Sequence, residues 1–134
     1  MAGDHDDTVD HLLGDLEAAI MRLMWERPQA TVRDVVALLK DQGRALAYTT
    51  VMTVMSRLVE KGVLTRDLAG KTHIYRSALS EDSFKRRAAA QRVQALVDDF
   101  GDIAIAHFLL TVNDLAPERL RELERLAHGD VPPK

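Results

Sequence analysis

Apolar positions recur at helical spacing through most of this chain and give way to two short strand-like runs only between residues 63 and 78. Val51, Val54, Met55 and Leu58 stand at i, i+3, i+4 and i+7, so the segment from Thr49 predicts a helix with one buried face. Thr49, Thr53, Ser56 and Glu60 lie opposite, with Thr50 and Arg57 on one shoulder and Met52 on the other. Gly62 is placed to end that helix. Val63 to Leu68 and Thr72 to Ala78 then read as a hairpin around Ala69-Gly70-Lys71, with a loop nearer three residues than two. Upstream, Val32, Val35, Val36 and Leu39 repeat the helical spacing, and Thr31 with Asp34 has the spacing of a capping box. Asp15 to Glu26 carries Leu16, Ile20, Leu23 and Met24 on one side, and Pro28 closes it. Helix, helix, helix, hairpin is the order of a winged helix-turn-helix.

Beyond Ala78 the pattern is helical again. Ser80 is placed as an N-cap, and the helix it opens runs to about Asp99 with Ala89, Val93, Leu96, Val97 and Phe100 on one side. Gly101-Asp102 interrupts it, Ile103 to Val112 is short and strongly apolar, and Ala116-Pro117 opens a last helix lined by Leu120, Leu123 and Ala127. Three helices with this much apolar surface need covering. The same region of a second copy covers them most simply, which predicts a two-fold homodimer; folding back onto the chain's own winged helix is the alternative cover. Val93, Leu96, Val97, Phe100, Phe108, Leu109, Leu120 and Leu123 are its candidate contacts. The fold class expected is mainly α with a small β-hairpin wing. Residues 1–10 read as a disordered acidic leader, 11–79 as the winged helix, 80–128 as a helical dimerisation region and 129–134 as a disordered tail.

The outward face of the Thr49 helix is unusual for a solvated surface, which normally carries Glu and Lys. Short hydroxyls allow close approach to a nucleic acid, and an Arg can fork onto guanine. An ordinary amphipathic helix with a Thr-rich exterior fits the same letters. Charge favours the nucleic-acid reading. The chain carries a net charge of −3, but unevenly. Residues 1–17 hold six acids and no Lys or Arg, whereas Lys40 to Arg76 holds seven basic residues against three acids. The local patch, not the sum, meets phosphates.

With 134 residues the chain has room for one small domain and an appendage. Aromatics at 4% leave little to stack on the bases of single strands. The absence of Cys excludes disulfides, cysteine zinc sites and thiol chemistry. No stretch approaches a membrane span, and the first residues have no apolar core of a signal peptide, so a cytoplasmic location is expected. The five His residues lack metal-ligand spacing, and no nucleophile elbow or phosphate loop appears, so neither an enzyme nor a metal or other cofactor is expected. Lys85-Arg86-Arg87, with Arg92 beyond, reads as a solvated basic linker face, with a DNA contact near the wing as the alternative because the run follows the hairpin directly.

Taken together, LGDLEAAIMRLMW (13–25), TVRDVVALL (31–39), YTTVMTVMSRLVEKGVL (48–64) and GKTHIYR (70–76) resemble the BlaI/MecI family of penicillinase repressors over roughly Leu13 to Leu126. The resemblance implies a winged-helix dimer that binds a palindromic operator and silences β-lactamase or other antibiotic-response genes. It implies that Thr49, Thr50, Thr53 and Arg57 contact DNA through the third helix, and that Lys71, together with Arg66, holds phosphate from the wing. Tyr75 is expected under the wing. Family members often carry Ser-Pro-Lys where this chain has Ala47, Tyr48 and Thr49, which implies a different preferred operator. The family is switched by proteolysis that a membrane-bound β-lactam sensor triggers. AHFL at 106–109 is similar to the cleaved motif, with His107 in place of Asn, which would put scission at His107–Phe108. Two other readings stay open: a repressor with an effector pocket among the last helices, and a winged helix used to bind protein.

Overall fold

A computed structural model describes residues 7–128 of the chain. The Thr31–Asp34 pair caps as its spacing predicts: Asp34 N–H donates to Thr31 Oγ1 at 3.1 Å, and Thr31 N–H donates to Asp34 Oδ2 at 2.9 Å. The helix so opened, α3 (Val32–Asp41), packs with α2 (Asp15–Trp25) and α4 (Tyr48–Glu60). The apolar faces read from the spacing are the buried ones. Ile20, Leu23 and Met24 of α2, Val35 and Leu39 of α3, and Val51, Met55 and Leu58 of α4 form one core.

α4 stops at Gly62, whose φ of 79° is open to glycine at no steric cost. Val63 N–H reaches Leu58 O at 3.0 Å and Gly62 N–H reaches Val59 O at 3.0 Å. This paired closure satisfies the last carbonyls and turns the chain out of the helix. Strand β1 (Leu64–Ala69) follows and pairs antiparallel with β2 (Thr72–Ser77), Arg66 facing Tyr75 and Leu68 facing His73. The connection is Gly70-Lys71, two residues rather than the three expected, because Ala69 and Thr72 already pair. Ala30 bridges to Tyr75 by two backbone hydrogen bonds, 3.0 and 2.8 Å. The hairpin is thereby tied to the segment that leads into α3.

One expectation is corrected. Of the residues read as an acidic leader, 1–6 lie outside the described residues, but α1 (Asp7–Leu12) is helical and its Val9 is fully buried in the core. The acids around it mask a short apolar pattern of Val9, Leu12 and Leu13 that packs on the domain. Val9→Ala should therefore cost about 1–3 kcal/mol, the value of two buried methyl groups with the cavity they leave. A thermal melt checks this; an unchanged melting temperature would return the segment to a passive leader. The expected tail at 129–134 also lies outside the described residues.

The chain divides into two compact units, the first ending at Ala89 and the second beginning at Ala90. The division falls inside α5 (Glu81–Phe100) and not at its start. Ser80 caps α5 through Ser83 N–H at 3.0 Å. Phe84 then buries against Trp25, ring centres 5.7 Å apart, while Trp25 Nε1 donates to Leu79 O at 2.9 Å. These contacts hold the first turns of α5 on the first unit.

The second unit holds the rest of α5 with α6 (Asp102–Asn113) and α7 (Pro117–Ala127). Gly101 separates α5 from α6, and Pro117 stands in the first turn of α7. Ala104 is the buried side chain of α6; Ile103, Ile105, Leu109 and Leu110 are all exposed. Among the described residues no helix is long and apolar enough to cross a membrane.

Candidate DNA-binding interface

The alternation along α4 decides which side chains are free to act. With Val51, Val54, Met55 and Leu58 buried, Thr49, Thr50, Thr53 and Arg57 are all exposed on the outward side. Ser56 is half-buried, because Arg66 Nη1 donates to its Oγ at 3.2 Å. The structure brings the four predicted α4 residues onto one surface, with hydroxyls over two turns and a guanidinium at the far end.

The wing residues divide. Lys71 stands exposed in the two-residue turn at the tip of the hairpin. Arg66 is occupied otherwise: besides Ser56 it donates to Tyr75 Oη at 3.3 Å, and its guanidinium lies 5.9 Å from the centre of the Tyr75 ring. Tyr75 is almost fully buried. Arg66 thus links the wing to α4 through Ser56 while remaining exposed.

Other basic residues counted in the positive segment are also committed internally. Arg44 pairs with Asp15, Lys61 with Glu17 at 2.8 Å, and Arg76 with Asp67 at 2.8 Å and Gln29 at 2.9 Å. The Lys61–Glu17 pair is the notable one, since Glu17 is nearly buried and ties the start of α2 to the end of α4. Arg57 and Lys71 take part in no ion pair among the described residues, and Arg33 joins them.

Arg33 carried no signal in the sequence. It lies in the first turn of α3, and the Ala30–Tyr75 bridge brings that turn beside the wing. Arg33, Tyr48, Met52, Lys71 and His73 line one cleft of about 340 Å³ between α3, α4 and the hairpin. Arg87 is exposed, as a solvated basic face requires, and in addition donates to Lys61 O at 3.3 Å, at the C-terminal end of α4. Lys85 and Arg86 pair with Glu81 and Asp82 one turn earlier on α5.

In the second unit, Val93, Leu96, Phe100, Phe108 and Leu109 are exposed, whereas Val97, Leu120 and Leu123 are half-buried within the chain. His107 is exposed in the middle of α6, where its carbonyl accepts from Thr111 Oγ1 at 3.1 Å. Among the described residues no group of three His, Asp or Glu side chains is placed to hold a metal.

The family model described as penicillinase repressor matches residues 13–128. A protein named transcriptional regulator BlaI from Mycobacterium tuberculosis, strains CDC 1551 and H37Rv, is 38% identical over 130 residues, covering 90% of this chain and 91% of that one. The chain belongs to the penicillinase repressor family. A penicillinase repressor is a transcriptional regulator and not an enzyme, which agrees with the absence of catalytic motifs noted above. Two solved structures are similar more loosely. The Lactococcus lactis ZitR mutant C30AH42A has a TM-score of 0.43 and 14% identity over 87% of this chain and 72% of that chain. A PadR family transcriptional regulator from Eggerthella lenta has a TM-score of 0.40 and 25% identity over 76% and 96%. Likeness at that level adds nothing to the fold already described.

The phosphate role expected of Lys71 has a direct test. A Lys that meets only phosphate contributes charge without sequence information. Lys71→Ala should weaken binding to every duplex alike and make the salt dependence shallower by about one unit. Binding isotherms at several salt concentrations measure both; a loss confined to one sequence would contradict the assignment.

Proposed function

We propose that this penicillinase repressor is a homodimer that binds a palindromic operator in duplex DNA and represses genes of an antibiotic or cell-wall response. The observation that carries the reading is the outward side of α4, where Thr49, Thr50, Thr53 and Arg57 are all exposed, together with Lys71 at the wing tip, which makes no ion pair among the described residues. A protein-binding winged helix would favour an acidic or apolar outer face on this helix. Thr49, Thr50, Thr53 and Arg57 read base edges in the major groove, and Lys71 grips the flanking backbone. Arg66 acts on the DNA through the position it gives the wing.

Residues 80–128 serve dimerisation. The exposed Val93, Leu96, Phe100, Phe108 and Leu109 form an apolar surface that support a two-fold partner of the same sequence. Val97, Leu120 and Leu123, half-buried within one chain, contribute their remaining surface to the same contact. Repression is relieved by proteolysis at His107–Phe108, under the control of a membrane-bound β-lactam sensor. That bond lies mid-way along α6, so α6 must open locally before a protease can take it as an extended strand. Scission there would cut the most apolar helix of the unit and release the partner.

Selection from a random duplex pool with the full-length protein tests the core of this reading. Inverted repeats are expected among the recovered sequences, with binding that steepens as a dimer forms. Recovery of no preferred sequence would overturn it.

A further inference from the structure

We infer that Tyr48 and Met52 form an apolar reader of thymine methyl groups, which sets part of the operator sequence that this repressor prefers. The inference rests on the DNA-binding reading above and deepens it. Tyr48 and Met52 are one helical turn apart on the shoulder of α4, 47% and 38% exposed, beside the hydroxyls of Thr49 and Thr53. The buried side of α4 is complete without them, so both side chains are left to meet whatever approaches this shoulder. Both side chains open into the cleft whose other walls carry Arg33, Lys71 and His73. The cleft therefore brings two largely apolar side chains together with two cationic ones.

A partner that fits must be anionic outside and present isolated apolar groups within. Duplex DNA meets both requirements: phosphates line the groove, and the thymine C5-methyl is the apolar group on the major-groove edge of the base pairs. Arg33 from α3 and Lys71 from the wing stand on either side, placed for the phosphates that flank the groove. Thr hydroxyls and Arg57 supply hydrogen bonds further along the same helix, so polar and apolar readout share one surface without overlapping.

The test uses the full-length protein and the duplex recovered from the random pool, with each thymine replaced in turn by deoxyuridine, which removes the methyl and keeps the pairing. At one thymine in each half-site the wild type should lose about four-fold in affinity, the value of one buried methyl-sized group. Met52→Ala and Tyr48→Ala, both at exposed positions and so compatible with folding, should each bind the thymine and deoxyuridine duplexes with closely similar affinity at that position. If no duplex is preferred over others, the DNA-binding reading itself fails. If a preferred duplex is bound equally well with deoxyuridine at every position, the inference fails while that reading stands. Retention of the full methyl effect by both variants would likewise overturn the inference, because another surface would then be the reader.

Discussion

Leu109→Asp is expected to leave the protein folded and monomeric, with most of its operator affinity lost. Leu109 is 59% exposed on α6, among Phe108, Leu110 and other apolar neighbours, so the substitution costs little within one chain. The cost appears on association. Covering an unpaired carboxylate costs several kcal/mol, and a two-fold contact repeats it in each copy, so the dimer should weaken by more than about a hundred-fold. Sedimentation equilibrium reads the association, and far-ultraviolet circular dichroism shows that the helices remain. Half-site affinity should persist while binding to the full operator drops towards it, because the second recognition helix no longer arrives with the first. A variant that stays dimeric and binds as before would remove α6 from the interface.

Arg57→Ala is expected to act on the DNA alone. Arg57 is exposed, pairs with no carboxylate among the described residues and lies at the end of the hydroxyl row, so its loss leaves the core intact. A bidentate contact to guanine discriminates by roughly 1–3 kcal/mol, and the variant should lose that amount on the operator and tolerate any base at one pair of each half-site. Arg57→Lys separates the two parts of the contact. It keeps the charge but not the planar fork, so part of the affinity should return without the base preference. Competition binding against operators changed at single base pairs measures both. Unchanged sequence preference in Arg57→Ala would contradict the assigned role.

What the sequence showed plainly was whatever depends on neighbours along one helix. The face of α4 was legible because burial follows the 3.6-residue repeat, and the caps at Thr31 and Ser80 were legible because they act across three residues. Membership of the penicillinase repressor family followed from several such segments in order. The wing was visible in outline, but its two-residue turn was not, since loop length depends on which residues pair across the strands.

The rest is tertiary. Arg33 joins the cleft beside the wing because Ala30 bridges to Tyr75 and draws the start of α3 beside the hairpin. The hydrogen bonds of Arg66 to Ser56 and Tyr75 were not legible either, since they exist only once the strands pair. Glu17 and Lys61 are far apart along the chain and meet because α2 crosses the end of α4. A charge count registers all of these bases equally. Packing sorts them into those that hold the domain together and those left to meet a partner. Residues 7–10 show the opposite failure, where acids in the sequence concealed a buried Val9.

Hydroxyl-radical footprinting of the full-length protein on its selected operator puts the central claim to its most direct test. Two recognition helices carried by one dimer predict two protected patches of equal strength, related by a two-fold axis and centred roughly 10 or 20 base pairs apart on one side of the duplex. A single asymmetric patch, or protection spread evenly along the DNA, would contradict the account.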